Sequence, residues 1–216
     1  MSLVKRGAFI VLEGIDRTGK TTQVKLLQDH FSASGVPTVS MRFPDRTTPI
    51  GSILDGYLAK GVKVEAHAVH LVFAANRWEA RETILKHLSE GITVICDRYA
   101  YSGVAFTATK GLDVEWLKNP DRGLPRPDAV LYLDLSIEDA MKRGGFGNEV
   151  YEKEDLQRIV KGVYEEKLWE DEYWHKVPAN QTPEELHELL KALCTKIIAS
   201  IPADSKEPKT LWTEKL

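Results

Sequence analysis

The sequence predicts an α/β fold, a five-stranded parallel sheet flanked by helices, and two observations carry that expectation. Strand-like apolar runs alternate with longer helical patterns along the whole chain, as they do when strands reach parallel neighbours through helical crossovers. The first of those runs opens directly into a glycine-rich segment that begins a helix, the context in which a backbone loop can wrap an anion.

The strands are expected at Ala8 to Glu13, Val36 to Arg42, Ile92 to Asp97, Ala129 to Leu135 and Trp174 to Pro178. Each is a short, apolar or β-branched run bounded by turn residues. Helical periodicity predicts Lys20 to Ala33, Ile50 to Ala59, Glu65 to Glu90 with Gly91 as its stop, Ile137 to Arg143, Glu152 to Glu172, and a last helix to about Ser200. Ser136 with Asp139, and Thr182 with Pro183 and Glu185, carry the spacing of capping boxes. Between the last two strands the cluster Gly144, Gly145, Phe146 and Gly147 is either a hinged lid or a glycine-rich turn.

Composition narrows the function classes. The 216 residues hold 29 basic and 32 acidic side chains, a formal charge of −3, and are 43% hydrophobic. That is a globular balance, and it argues against general binding to nucleic acid or anionic lipid, which calls for a basic face or tail. No apolar run approaches the roughly 20 residues needed to span a bilayer, and the first residues lack the pattern of a signal peptide. Cys96 and Cys194 form no metal-binding or disulfide pattern, so a reducing compartment, the cytoplasm or nucleus, is expected.

The chemistry concentrates in Gly14, Asp16, Arg17, Thr18, Gly19, Lys20, Thr21 and Thr22. They fit G-x-x-x-x-G-K-S/T after a strand and before a helix, which identifies a P-loop NTPase fold and a bound nucleoside triphosphate. Glycines let the backbone close around phosphate, Lys20 would hold the outer phosphates, and the Thr21 hydroxyl would ligate Mg²⁺. Arg17 is either a fixed cation for the transferring phosphoryl group or a solvated loop charge. The absence of an N-K-x-D motif argues against a guanine-nucleotide switch.

A second set lies at the ends of later strands, where ligands bind in open α/β sheets. Asp97 and Arg98 close the third strand, either as a Mg²⁺-positioning acid and a phosphate-bridging guanidinium or as a structural ion pair. Phe43 and Arg46 follow the second strand, and Arg46 suits a second anion. Phe73 and Arg77 share a helix face, so one could stack on a flat ring while the other reaches its edge; for Phe73 alone, a place in the core is the competing reading.

These segments together resemble the thymidylate kinases, over nearly the whole chain to about residue 200. The resemblance rests on the loop, on 43–51, on 70–78, and on 97–106 with its acid, arginine, aromatic and serine. Arg17 inside the loop makes it similar to the eukaryotic type. It implies a single kinase domain over 1–216 with a lid at about 134–158. It implies transfer of the γ-phosphoryl of ATP to thymidine 5′-monophosphate (dTMP) with Mg²⁺, and a homodimer. By position it assigns Asp16 to the sugar hydroxyl, Arg46 and Arg98 to the monophosphate, Phe73 and Arg77 to the base. Ser102, Gly103, Phe106 and Tyr151 fall to the nucleoside wall, and Arg143, Asn180 and Gln181 to the ATP side. The chain departs from the family pattern at Val150 and Gln181. Two other readings remain at this stage: a kinase for another nucleoside or nucleotide, and a non-catalytic nucleotide-binding module.

Overall fold

The computed structural model describes residues 5–59, 63–143, 151 and 153–213. In chain order its strands are β1 (Phe9–Glu13), β2 (Thr38–Arg42), β3 (Thr93–Asp97), β4 (Ala129–Asp134) and β5 (Trp174–Pro178). Between β1 and β3 lie α1 (Lys20–Ala33), α2 (Pro49–Leu58), α3 (Ala66–Glu79) and α4 (Arg81–Ser89). After β3 come α5 (Ala100–Ala108), α6 (Val114–Lys118), α7 (Ile137–Lys142), α8 (Glu154–Val163) and α9 (Pro183–Ser200). A 3₁₀ turn, Asn119–Asp121, follows α6, and a π-turn, Tyr164–Leu168, continues α8.

The five strands are parallel and ordered β2-β3-β1-β4-β5. Leu12 of β1 lies opposite Asp97 of β3 on one side and Leu131 of β4 on the other. The central strands are buried almost throughout, whereas the edge strands β2 and β5 alternate between buried and more exposed positions, as expected of a sheet covered by helices. Because the chain goes from β1 to partners on both sides, a crevice opens at the carboxyl end of β1. Among the described residues no helix is long and apolar enough to cross a membrane.

All five strands and helix α1 fall where the sequence places them, with strand ends shifted by at most two residues. The expected helix from Glu65 to Glu90 is instead two, broken at Ala80. The halves serve different neighbours: α3 packs on α2, α5 and the 3₁₀ turn, while α4 lies against β3. A straight helix could not reach both. The helix expected from Glu152 to Glu172 ends sooner, widening into the π-turn at Tyr164 and becoming extended at Trp169.

The Thr182 capping box forms in full, with Glu185 returning to the Thr182 N–H. At Ser136 only half forms: the Asp139 N–H donates to Ser136 Oγ, but the Asp139 carboxylate, one methylene shorter than glutamate, takes the Ser136 hydroxyl rather than its N–H. Helices α5 and α6 carry no helical period in the sequence. α5 is buried at all but Phe106 and Ala108, and a helix apolar on nearly every side has no amphipathic period to read. The glycine cluster 144–147, Val150 and the expected helix start at Glu152 lie outside the described residues.

Candidate active site

The crevice is one continuous cavity of about 920 Å³. Its first end is built by consecutive residues. β1 stops at Glu13, Gly14 turns the chain at φ 140°, and α1 starts from Gly19 at φ 95°. A Cβ on Gly14 would stand 2.7 Å from the Leu133 carbonyl oxygen, so glycine is required there for packing against β4. Asp16, Arg17, Thr18, Gly19, Lys20, Thr21 and Thr22 line the cavity. Gly14 does not; its carbonyl turns inward to accept from Lys20 and Arg98.

Lys20 is buried and donates to the carbonyls of Gly14 and Ile15, at 3.1 and 2.6 Å, and to Thr18 Oγ1 at 3.0 Å. Burial, with Arg98 nearby, pulls its pKa down to about 7. The Thr21 hydroxyl donates to Asp97 Oδ2 at 2.5 Å. That pair is a set of hard oxygen donors at a helix N-terminus, suited to Mg²⁺ once nucleotide phosphates supply more oxygens. No group of three or more His, Cys, Asp or Glu among the described residues could hold a metal without them.

Arg98 sits in the middle. Its backbone is left-handed, φ 67°, which swings the guanidinium off the end of β3 and over the loop. There it pairs with Asp16, donates to Gly14 O and Ser102 Oγ at 3.1 Å each, and lies 4.9 Å over the Phe106 ring. Burial by itself would lower the Arg98 pKa, but Asp16, then Tyr164, Asp97 and Glu13, raise it above its ordinary value. It is a permanent cation.

The far end is assembled from scattered elements. Phe73 of α3, Phe106 of α5 and Tyr151 line it with Leu58, and Tyr57 meets both Phe73 and Tyr151. Arg77 is buried and grips Asp121 with two bonds, Nε to Oδ1 at 2.9 Å and Nη2 to Oδ2 at 2.6 Å. Gly103 lets this arginine pass: a Cβ there would stand 2.7 Å from Nη2. His70, by contrast, bonds Thr107 and the Leu117 carbonyl, and burial lowers its pKa, so it serves as a core hydrogen-bonding group.

Phe43, Arg46, Ser102, Gly103 and Gln181 also line the cavity. Arg46 holds Asp55 at 2.9 Å on the surface. Arg143 reaches across to donate to Arg17 O and Ala179 O, tying the loop to the β5–α9 connection. Asn180 is exposed and does not line the cavity; only Gln181 of that pair does, because the chain turns at the end of β5. The structure therefore gives no support for a nucleotide contact from Asn180.

Several participants escaped the sequence reading. Arg42, with its side chain 57% exposed, lines the cavity 3.8 Å from Asp97 and adds a cation there. Gln157 accepts from the Asp16 N–H and donates to Asp16 Oδ2 at 2.6 Å. Asn76 pins the turn that carries Arg46 through both the N–H and the carbonyl of Asp45. Asp121 orients Arg77. Glu13, whose carboxylate accepts from the N–H groups of Tyr99 and Ser102, carries a linear signal, an acid ending an otherwise apolar strand; the others look like ordinary polar surface residues in a linear reading.

The family model described as thymidylate kinase matches residues 12–190. A thymidylate kinase of Dictyostelium discoideum is 49% identical over 186 residues, covering 86% of this chain and 83% of its own. The human thymidylate kinase is 44% identical over 210 residues, 96% and 98% of the two chains. Among solved structures, a thymidylate kinase of Candida albicans, described as having broad substrate specificity, superimposes with a TM-score of 0.83 at 33% identity, over 95% of this chain and 98% of its own.

Proposed function

This chain belongs to the thymidylate kinase family, and from that premise we propose how it phosphorylates dTMP to the diphosphate. The observation that carries the proposal is the single cavity that runs from the phosphate loop, past Arg98, to the wall of Phe73, Arg77 and Phe106. It accommodates two nucleotides end to end with their phosphates meeting over Lys20 and Arg98.

ATP occupies the loop end. The N–H groups at the start of α1 and the Lys20 ammonium face its outer phosphates, with Arg143 and Gln181 bounding the adenosine side. The Thr21 hydroxyl and the Asp97 carboxylate would hold Mg²⁺, which would supply neutralisation of phosphate charge. The acceptor occupies the other end. Phe73 stacks on thymine, and Arg77, whose Nε and Nη2 are taken by Asp121, offers Nη1 to a base carbonyl. Asp16 accepts from the sugar hydroxyl. Arg46, released from its surface partner Asp55, joins Arg98 and Arg42 around the monophosphate.

Phosphoryl transfer needs positioning and charge stabilisation more than covalent help from the protein. Arg98 is the residue common to both ends. Its guanidinium bridges the acceptor phosphate and the phosphoryl group in flight, and Arg17 adds a second cation from the loop. Residues 1–216 form one catalytic unit, with the segment at about 134–158 as its lid.

The family resemblance also supports a homodimer, and Ile53 of α2 and Leu71 of α3, 57% and 49% exposed, offer apolar surface for one. Sedimentation velocity showing a monomer at micromolar concentration would remove that part. The buried thiols of Cys96 and Cys194 suit a reducing compartment such as cytoplasm or nucleus.

The deciding experiment measures ADP formation with MgATP and dTMP, deoxyuridine monophosphate, deoxyguanosine monophosphate or thymidine, beside a control without acceptor. Turnover fastest on dTMP is expected. Preference for another acceptor would overturn the base-pocket assignment, and ATP binding without turnover would favour a non-catalytic module.

A further inference from the structure

Glu13 is fully buried at the end of β1, next to the phosphate loop but outside the cavity. Its four hydrogen bonds divide between its two oxygens. Oε1 accepts from the backbone N–H groups of Tyr99 and Ser102, at 2.8 and 3.1 Å, at the start of α5. Oε2 accepts from two hydroxyls, Ser102 Oγ at 2.6 Å and Tyr164 Oη at 2.8 Å.

A serine hydroxyl has a single proton. Two acceptors lie within its reach, Glu13 Oε2 at 2.6 Å and Tyr164 Oη at 2.8 Å; the carboxylate is the nearer and the stronger, and with the proton on it the Ser102 oxygen presents lone pairs in its other directions, one of which receives Arg98 Nη1 at 3.1 Å. We propose that Glu13 is a positioning residue for the phosphoryl-transfer site: it fixes the direction of the Ser102 hydroxyl so that Ser102 can only accept from Arg98. The π-turn contributes by placing Tyr164 on the same carboxylate oxygen. This inference rests on the reading of Arg98 as the acceptor-phosphate cation.

The substitution Glu13→Gln exposes the mechanism, because the amide has no freedom in its orientation. Its oxygen must stay where Oε1 is, facing two backbone N–H groups, so its NH₂ takes the place of Oε2. Ser102 then has to accept from that amide, and its own proton is left with Tyr164 Oη, 2.8 Å away; when Tyr164→Phe removes that acceptor as well, the proton turns toward the guanidinium. The contact with Arg98 becomes repulsive although the side chains have kept their shape.

The test is a mutant cycle read as KM and kcat for each substrate, with thermal melting to follow the fold. Glu13→Gln combined with Tyr164→Phe is expected to lower kcat/KM for dTMP by about thirtyfold, the scale of a hydrogen bond to a charged group reversed in sign, while the KM for ATP changes less than about twofold. Ser102→Ala is expected to cost about fivefold, and adding Ser102→Ala to that pair should bring the loss back to the level of Ser102→Ala alone. A triple variant as poor as the pair, or worse, would make Glu13 a packing residue and overturn the proposal.

Should Glu13→Gln not fold, Ser102→Ala and Tyr164→Phe decide. The first is expected to weaken dTMP binding and the second to leave it within about twofold, since the Ser102 proton still has its acceptor; equal losses overturn the ordering. Arg98→Ala separates this inference from its premise. If that variant keeps its turnover, the acceptor-site reading fails and the proposal with it; if it loses turnover while Glu13→Gln with Tyr164→Phe behaves as wild type, the proposal alone falls.

Discussion

The half of the crevice from Thr18 to Thr22 is made of five neighbours in sequence, held by their own backbone and by the start of α1. The half around Arg77 draws on α3, α5, the 3₁₀ turn and residue 151, and its central cation is aimed by an aspartate 44 positions away. A contiguous site needs a local conformation, which a few glycines specify. An assembled site needs a fold, and its buried cation requires a buried partner. The first is robust to changes elsewhere in the molecule, whereas the second is only as good as its supports.

The largest effects should fall where the two halves meet. Lys20→Ala and Arg98→Ala are each expected to lower turnover about a thousandfold, roughly 4 kcal/mol of transition-state stabilisation, with circular dichroism unchanged. Near-native turnover in either variant would undo the division of labour described here.

The assembled half should show its dependence next. Asp121→Asn leaves the buried Arg77 guanidinium without its charge partner, and about 3–5 kcal/mol of stability should be lost, together with at least a tenfold rise in the KM for dTMP if about 1.4 kcal/mol of that loss is felt in binding. Denaturant unfolding and acceptor titration read the two effects separately. Arg77→Ala should lose stability as well as affinity, because it strands Asp121. If it lowers affinity alone, the pair is less strongly coupled than its geometry requires.

Gly103→Ala sharpens the comparison with a single methyl group. Its Cβ would meet Arg77 Nη2 at 2.7 Å, and a rise of about fivefold to tenfold in the KM for dTMP is expected, the cost of a modest overpacking, with the KM for ATP unmoved. Equal rises for both nucleotides would show that the halves are not independent.

In the contiguous half, the test is pH. Burial, reinforced by Arg98, lowers the Lys20 pKa from 10.5 to about 7. Between those values the unfolded chain binds a proton that the folded chain does not, so this group makes stability rise with pH across that window; below about 7 its buried charge is a constant cost. Phosphate restores the proton. ATP binding at pH 8 should therefore take up close to one proton, measured by calorimetry in buffers of different ionisation enthalpy, and Lys20→Met should abolish the uptake. The smallest effect belongs to Asn180→Ala, which should leave the KM for ATP within about twofold because its side chain is exposed outside the cavity.

Much of this architecture was legible in the sequence. Alternating apolar strands and periodic helices give the parallel sheet, and Gly14, Gly19, Lys20 and Thr21 give the loop, because both depend on short-range pattern and backbone chemistry. The break at Ala80 was not legible, since both halves keep an apolar period and only their different neighbours force the bend. Helix α5 was hidden by being buried nearly all round. Asp121 and Gln157 look like ordinary polar residues until the chain brings one to Arg77 and the other to Asp16.

By itself, then, the sequence determined the order of the strands along the chain, the phosphate loop and the family. Tertiary structure decided which acid holds which arginine, which glycine makes room for a guanidinium, and which hydroxyls gather on Glu13. The physical reason is range. A loop around phosphate is closed by dihedral angles within a few residues, while the direction of a buried charge or proton is set by whichever partner the fold delivers within about 3 Å.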